Sequence, residues 1–159
     1  MIRRSSILRD VADAIESSTD FREAVDGFGG QYRMLLGMPA NEDLQTDSRV
    51  VTVAVAFGEE PYDAGYVQTR TADVLVRVMV YDKTVDKVGG REEYLSILTC
   101  HDLCQYVAES ARGISVLGDH VLGAAVTVSA ESWPLAVGEI NISVDWPVTL
   151  GADGLEETS

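Results

Sequence analysis

The chain has 159 residues, 46% of them hydrophobic and 24% charged, which is typical of a single globular domain with a buried core. Its formal net charge of −14 argues against sequence-independent binding of nucleic acid and against docking on an anionic membrane. No apolar run reaches the ~18 residues of a membrane span. Acidic residues interrupt the region where a signal peptide would be apolar, and two cysteines in a chain without such a signal suggest free thiols in a reducing cytosol.

The first predicted elements are two helices. The stretch "SSILRDVADAIESS", from Ser5, has an apolar stripe at helical spacing, and Ser5 or Ser6 can cap its first free amides. That stripe contains Ile7, Val11, Ala14, Ile15 and Ser18. In the following "TDFREAVDGFGG", Asp20 and Glu23 have the spacing of a capping box, and Gly27 is a natural stop.

Strands are predicted next. "YRMLLG" is a candidate strand, and "MPANEDLQTDSR" after it is a polar loop. "VVTVAVAF" alternates with period two and is rich in β-branched residues, which predicts a strand. The longer "YVQTRTADVLVRVMVYDK" is nearly apolar on both faces in its second half, which indicates a position in the middle of a sheet. The stretches "GEEPYDAG" and "TVDKVGG" are interpreted as connectors.

A third helix is predicted over "REEYLSILTCHDLCQYVAESARG", closed by Gly113. Its apolar stripe contains Tyr94, Ile97, Cys100, His101, Cys104, Val107, Ala108 and Ala111. Two strands follow, "HVLGAAVTVSA" and "EINISVDWPVTL", and Pro147 marks the second as an edge strand because proline cannot donate to a ladder. The order predicts one domain over residues 1–150, of α+β class, a mostly antiparallel β-sheet with helices packed on one face. Residues 151–159 are predicted to be a disordered acidic tail.

The stretch "TCHDLC" holds both cysteines and one of two histidines. The candidate interpretations are a helix core, a weak metal site or a functional thiol, and the apolar stripe with too few further ligands favours the core. On that interpretation His101 is a satisfied histidine at the edge of the core. Side chains one helical turn apart do not suit a disulfide.

The sequence also lacks the common catalytic and nucleotide-binding motifs. "GFGG" lacks the third glycine of a dinucleotide fingerprint and follows a helix, and GxxxxGK[ST], HExxH and GxSxG do not occur. The adjacent carboxylates Glu59 and Glu60 are typical of a solvated turn. We therefore expect no catalytic residues, no cofactor and no metal site, and we expect that the protein is not an enzyme.

The order and spacing of the elements resemble the tail terminator (tail completion) proteins of long-tailed bacteriophages, the class of lambda's minor tail protein U. The resemblance covers about residues 7–151 and depends on patterns, without signature residues to transfer. This chain has longer loops at "AVDGFGGQYR" and "NEDLQTDSR" than the short members of the family. The patterns that carry it are "LRDVADAIESS", "RVVTVAVAF", "TADVLVRVMVYDK", "EEYLSILTCHDLCQYVAES" and "INISVDWPVTLGAD".

The resemblance implies a structural virion protein, located in the tail or neck and assembled in the host cytoplasm. Such a protein forms a hexameric ring that caps the tail tube, stops its polymerisation and forms the interface to the head–tail connector protein. DNA passes through the ring without specific binding, and no membrane is involved. An acidic channel would let DNA slide without sticking, although the net charge also serves solubility alone.

Other functions remain open. One is another phage neck or head-completion protein or a tail tube protein, and another is a small dimeric α+β ligand-binding module of ferredoxin-like type. The connectors at "GEEPYDAG" and "DKTVDKVGG" are candidates for subunit or partner contacts, because charges of opposite sign alternate along the second and tyrosines lie in and directly after the first. Ordinary solvated hairpin tips have the same composition. The candidate interface residues are Glu59, Glu60, Tyr62, Asp63, Tyr66, Asp82, Lys83, Asp86 and Lys87.

Overall fold

The structure, a computed structural model, describes residues 4–37, 49–58, 69–112 and 121–147. The described helices are α1 (Arg4–Ser17), α2 (Thr19–Phe28) and α3 (Leu95–Arg112). The described strands are β1 (Gln31–Leu36), β2 (Val50–Phe57), β3 (Thr69–Tyr81), β4 (Val85–Val88), β5 (Arg91–Tyr94), β6 (Val121–Ser129) and β7 (Leu135–Pro147). Most of the predicted polar loop, the "GEEPYDAG" connector beyond Gly58, the stop at Gly113 and the tail at 151–159 lie outside the described residues.

The main sheet has five strands in the order β1-β2-β3-β7-β6, and β4 and β5 form a separate two-stranded sheet. β3 is at its centre, as its apolar pattern predicted, and it pairs with β7 along its whole length. β1 pairs with β2 in parallel, whereas all other described pairs are antiparallel. The predicted α+β class with a mostly antiparallel sheet is therefore confirmed.

The prediction that the last strand lies at a sheet edge is wrong. β7 lies between β3 and β6, so the edges among the described strands are β1 and β6. Pro147 pairs with Thr69 as the last residue of β7, whereas β6 reaches only to the partner of Val144. A proline is tolerated there because it stands at the end of the strand, beyond the reach of the second neighbour. β7 also begins at Leu135, before the predicted start at Glu139.

The main core lies between the three helices and one face of the sheet. Each helix contributes an apolar stripe, and alternate residues of the strands contribute the opposing surface, as period-two patterns require. The helical part contains Ile7, Val11, Ile15, Phe21, Val25, Phe28, Cys100, Leu103, Cys104 and Val107. The sheet part contains Val51, Val53, Val55, Val74, Val76, Val78, Val80, Ile140 and Ile142. None of the described helices is long and apolar enough to cross a membrane.

The ends of α2 differ from the prediction. Ser18, not Asp20, is the N-cap, because its hydroxyl accepts a hydrogen bond from the Phe21 amide at 3.2 Å. The helix continues through Gly27 to Phe28, and the amides of Gly29 and Gly30 both donate to the carbonyl of Val25. The second of these glycines has a φ of 81°, a left-handed conformation that favours glycine at a helix end.

The segment before α3 is a β-hairpin, not a connector followed by a helix turn. β4 and β5 pair from Val85↔Tyr94 to Val88↔Arg91, and Gly89 supplies a φ of 62° in the turn. The stretch "REEY" is therefore a strand, and α3 begins at Leu95, whose amide donates to the Thr84 carbonyl at 3.2 Å. The paired glycines are a hairpin signal that the helical pattern after them obscured.

The stripe of α3 is confirmed in its centre and wrong at its margins. Cys100, Cys104 and Val107 are fully buried. Leu103, absent from the predicted stripe, is fully buried as well, whereas His101 is exposed and is not an edge-of-core residue. The buried face is therefore rotated toward Leu103 relative to the prediction, which places His101 outside it.

Candidate interaction surface at the β4–β5 hairpin

The candidate interface residues fall into two groups. Those on the "GEEPYDAG" connector or directly after it lie outside the described residues: Glu59, Glu60, Tyr62, Asp63 and Tyr66. The others follow β3 and enter β4, where Lys83, Asp86 and Lys87 are exposed and Asp82 is buried. The described part of the candidate interface is thus the base and first strand of the hairpin.

Asp82 belongs to the fold beneath this surface and is not an exposed contact residue. Only 5% of the residue is exposed, and its Oδ1 accepts hydrogen bonds from the amide and the hydroxyl of Thr84, at 2.9 and 2.7 Å. The Asp82 amide donates to the Pro134 carbonyl at 3.2 Å. A buried carboxylate needs such partners, and these fix the direction in which the chain leaves β3 for the hairpin.

Arg49 connects the C-terminal end of α2 to Asp82 at the base of the hairpin. Its Nη1 donates to the Phe28 carbonyl at 2.7 Å, its guanidinium carbon lies 5.4 Å from the centre of the Phe28 ring, and its Nε lies 3.7 Å from Asp82 Oδ2. A cation at the C-terminus of a helix also complements the helix dipole. The sequence places Arg49 in a polar loop, where no local pattern distinguishes it from a solvated arginine.

An aromatic pair forms the apolar part of the surface. Tyr94, the last residue of β5, and Trp133, in the turn before β7, pack edge to face with ring centres 5.5 Å apart. They are 38% and 39% exposed. The Tyr94 hydroxyl donates to Glu92 at 3.2 Å, and this hydrogen bond raises the pKa of Tyr94 above its ordinary value. Half-exposed tyrosine and tryptophan side chains are the type enriched at protein interfaces.

The hairpin arranges charges around this pair. Lys87 faces Glu92 across the two strands, and Tyr94 lies on the same hairpin face two residues further along. We call Lys87, Glu92, Tyr94 and Trp133 the hairpin surface. Sequence reasoning missed Tyr94 and Trp133, because the first was assigned to the buried stripe of a helix and the second had no partner in a local pattern.

A shallow cavity of about 350 Å³ lies between α3 and the junction of α1 and α2. Its lining includes Ser18, Asp20, Glu109 and Ser110. Ser18 already caps α2, and the Ser110 hydroxyl donates to the Tyr106 carbonyl at 2.8 Å. Within the described part of the chain, no group of three or more His, Cys, Asp or Glu side chains is placed to hold a metal ion. The cavity therefore offers less specific chemistry than the hairpin surface.

The cysteines of "TCHDLC" are free thiols in the core, which confirms the core interpretation. The Cys100 thiol donates to the Val78 carbonyl at 3.6 Å. A hydrogen bond with Cys104 and burial both raise the pKa of the Cys100 thiol well above its usual range. Because the thiolate is the reactive form, this environment suppresses nucleophilic chemistry.

The fold defines the class of the chain as an α+β domain with a five-stranded, mostly antiparallel sheet. No protein-family model matches the chain, and no curated protein matches it significantly. Its function therefore has to be inferred from the order of its elements and from its surfaces.

Proposed function

We propose that the chain is a tail terminator of a long-tailed bacteriophage. It caps the tail tube as a hexameric ring, stops polymerisation of the tube and forms the interface to the head connector. The observation that carries the proposal is the resemblance in element order over about residues 7–151. The described α+β fold, with a long central strand and helices on one face, is compatible with that order.

The hairpin surface supports a role in protein–protein contact. Tyr94 and Trp133 expose apolar area beside Lys87 and Glu92, a combination of aromatic anchor and polar rim that suits recognition of another protein. The network beneath it, from Asp82 to Thr84 and Arg49, holds the base of the hairpin to β3 and α2. On this proposal the hairpin surface contacts the tube or the connector.

Electron microscopy of the purified protein, together with native mass spectrometry at high protein concentration, tests the ring. Closed six-membered rings are expected. Long polymers would instead indicate a tail tube subunit. A strict dimer, in solution and in the particle neck, would overturn the proposal and favour a ligand-binding module.

Replacement of Tyr94 and Trp133 by Ala tests the hairpin surface. The fold should survive because both side chains are more than a third exposed, whereas binding to tube or connector should weaken at least tenfold. Particles should then show free heads beside tails of abnormal length. The matched control is Tyr94→Phe with Trp133→Phe, which keeps two rings. Complementation of a terminator-deficient phage by the Ala variant at the wild-type level would contradict this role.

A further inference from the structure

The main sheet has an open edge on each side within the described part of the chain. β1 pairs only with β2, and β6 pairs only with β7. An open edge presents unpaired amides and carbonyls to any strand that can reach it, so proteins usually block edges with charges, prolines or bulges. The presence or absence of these features in β1 and β6 therefore indicates whether each edge pairs with another strand.

The sequence of β6 contains almost none of these protective features. Its nine residues, "VLGAAVTVS", include no charged residue and no proline, and its one irregularity lies at Val121/Gly123. From Ala124 to Ser129 the strand pairs with β7 in an unbroken register, and its other side is a regular edge with no partner among the described strands. Val126 is 41% exposed on this strand. A regular, uncharged, partly apolar edge is a template for another strand.

β1 is a matching edge of similar length. It pairs with β2 over all six residues from Gln31 to Leu36, about 20 Å of strand. Its exposed residues include Tyr32 and Leu36, and its only charged residue is Arg33, whose guanidinium donates to the Thr52 hydroxyl at 3.1 Å. The six regular residues of β6 and the six of β1 can therefore pair along their full length.

Charge favours contact between these edges over contact elsewhere. Copies of a chain with a net charge of −14 repel one another, yet neither β1 nor β6 contains an aspartate or glutamate. The carboxylate of Glu16 reaches β1, where it accepts a hydrogen bond from the Tyr32 hydroxyl at 2.5 Å. The two edges thus let copies approach with few carboxylates facing each other.

We infer that the β6 edge of one copy pairs with the β1 edge of the next and extends the five-stranded sheet across the subunit boundary. Pairing of like edges, β6 with β6, would form a closed dimer and leave both β1 edges open. Head-to-tail pairing uses both edges of every copy and forms a ring or an open chain. The closure of this assembly into a ring of six copies rests on the proposed function, whereas the pairing of β6 with β1 does not.

Adjacent proline substitutions test the pairing. Amides along an edge strand point alternately to the neighbouring strand and away from it, so one of Val126→Pro and Thr127→Pro removes a bond to β7 and the other removes only an outward amide. The variant that loses the bond to β7 should lose much of its thermal stability. The variant that loses only the outward amide should keep its fold and remain monomeric at ten times the protein concentration at which the wild type assembles.

Cross-linking distinguishes head-to-tail from like-edge pairing. Gln31 in β1 and Thr127 in β6 are both exposed and lie on the sheet face opposite the helices, and the two native cysteines are buried. A short bis-maleimide should join a mixture of the Gln31→Cys and Thr127→Cys variants, and neither variant alone. Cross-linking of the Thr127→Cys variant alone would overturn the inference in favour of a two-fold dimer.

The outcomes separate this inference from the proposed function. Six-membered rings that survive the fold-retaining proline would refute the strand pairing and leave the terminator role standing. Open chains that the same proline abolishes would support the pairing and overturn the terminator ring. A wild-type chain that is monomeric at every concentration and forms no ring in the particle would refute both.

Discussion

At Gly138, β7 packs directly against two cysteines of α3. A Cβ atom built there would overlap the sulfur of Cys104 and lie 3.1 Å from that of Cys100. The two sulfur atoms therefore fill the space that a side chain on β7 would occupy. This contact explains why small, polarisable thiols stand at the centre of the helix stripe, where a branched side chain would be too large.

Gly138→Ala should destabilise the fold by about 1–3 kcal/mol, because the added methyl group overpacks the core against α3. Adding Cys104→Ala should recover part of that loss, since it removes the sulfur atom with which the methyl group collides. Urea denaturation of the four forms in this cycle measures the coupling. Gly90→Ala is the control, because a Cβ there meets nothing within 4 Å. A Gly138→Ala variant as stable as this control would contradict the described packing.

The Cys100 thiol should make stability depend on alkaline pH. Its hydrogen bond with Cys104 and its burial raise its pKa in the folded state. The unfolded chain therefore releases a proton above about pH 8.5 that the folded chain retains, and the free energy of unfolding falls as pH rises. The slope from this group should approach about 1.4 kcal/mol per pH unit above that pH.

Urea denaturation between pH 7.5 and 9.5 measures this slope, and Cys100→Ala supplies the comparison. The two proteins differ only at residue 100, so the difference between the two slopes measures its contribution. Equal slopes would contradict a raised pKa.

The surroundings of single residues could be predicted from the sequence only in part. Helical spacing was enough to assign Cys100 and Cys104 to a core, because that pattern is local. It was not enough to identify Gly138, since the strand pairing and helix packing that bring it under the cysteines are long-range. Asp82 was predicted to be an interface residue because it lies in a run of charges, whereas it is buried and accepts hydrogen bonds from Thr84.

At the scale of elements, the junction between α2, the start of β2 and the end of β3 depends on Arg49. The residue adopts a φ of 68°, unusual for a residue with a side chain, and a Cβ on Gly29 would lie 2.7 Å from its backbone oxygen. Its guanidinium bonds to the end of α2 and lies beside Asp82. The helix end and the hairpin base are therefore positioned by one side chain.

Arg49→Ala should lower the free energy of unfolding by about 1–3 kcal/mol, mainly through the lost hydrogen bond to the Phe28 carbonyl and the lost ring contact. The pair with Asp82 should contribute less than about 1 kcal/mol, because half of the Arg49 side chain is exposed and the separation is 3.7 Å. Arg49→Gly should cost less than Arg49→Ala, since glycine relieves the positive φ.

The matched control is Arg91→Ala, which removes an exposed ion pair with Glu93 on the hairpin and should change stability by no more than about 0.5 kcal/mol. Thermal or urea unfolding of the three variants gives the comparison. Equal effects of Arg49→Ala and Arg91→Ala would show that the junction does not depend on Arg49.

Elements with a clear period were predictable, and the predicted ends of β2 agree with the structure, whereas those of α2 and α3 do not. The stripes of α1 and α3 and the alternation of β2 are set by neighbouring residues, so those elements were predicted in the right place. The hairpin was missed because "REEY" fits a helix as well as a strand, and tertiary context at Gly89 and Thr84 decides between them.

At the scale of the whole molecule, charge should control assembly. Each copy carries a net charge of −14, so association requires like-charged molecules to approach. Raising sodium chloride from 0.1 M to 1 M shortens the Debye length from about 10 Å to about 3 Å and screens that repulsion. Assembly should therefore begin at lower protein concentration in high salt, as sedimentation velocity can measure.

The monomeric proline variant of β6 serves as the control, because salt should leave it monomeric. Dissociation of the wild-type assembly by salt would contradict the prediction, since it would mean that ion pairs across the interface outweigh the general repulsion.

The class of the fold and the central position of β3 were predictable, whereas the order of the other strands was not. Patterning shows which face of a strand is buried but not which strand lies beside it. The parallel pairing of β1 with β2 and the position of β7 between β3 and β6 both depend on contacts distant in sequence. Pro147 indicated an edge strand because proline cannot donate a hydrogen bond inside a ladder. It is the last residue of β7, where that hydrogen bond is not needed, so the strand can lie inside the sheet.

The central position of β7 has a consequence for how the protein is made. During synthesis, β3 and β6 leave the ribosome before β7, which must then enter between them, and Thr69 cannot meet its partner Pro147 until nearly the whole described chain has emerged. Such non-local pairing slows folding, and the waiting strands expose valine-rich surfaces with free edges. The nascent chain is therefore expected to need protection from aggregation until residues 135–147 close the sheet.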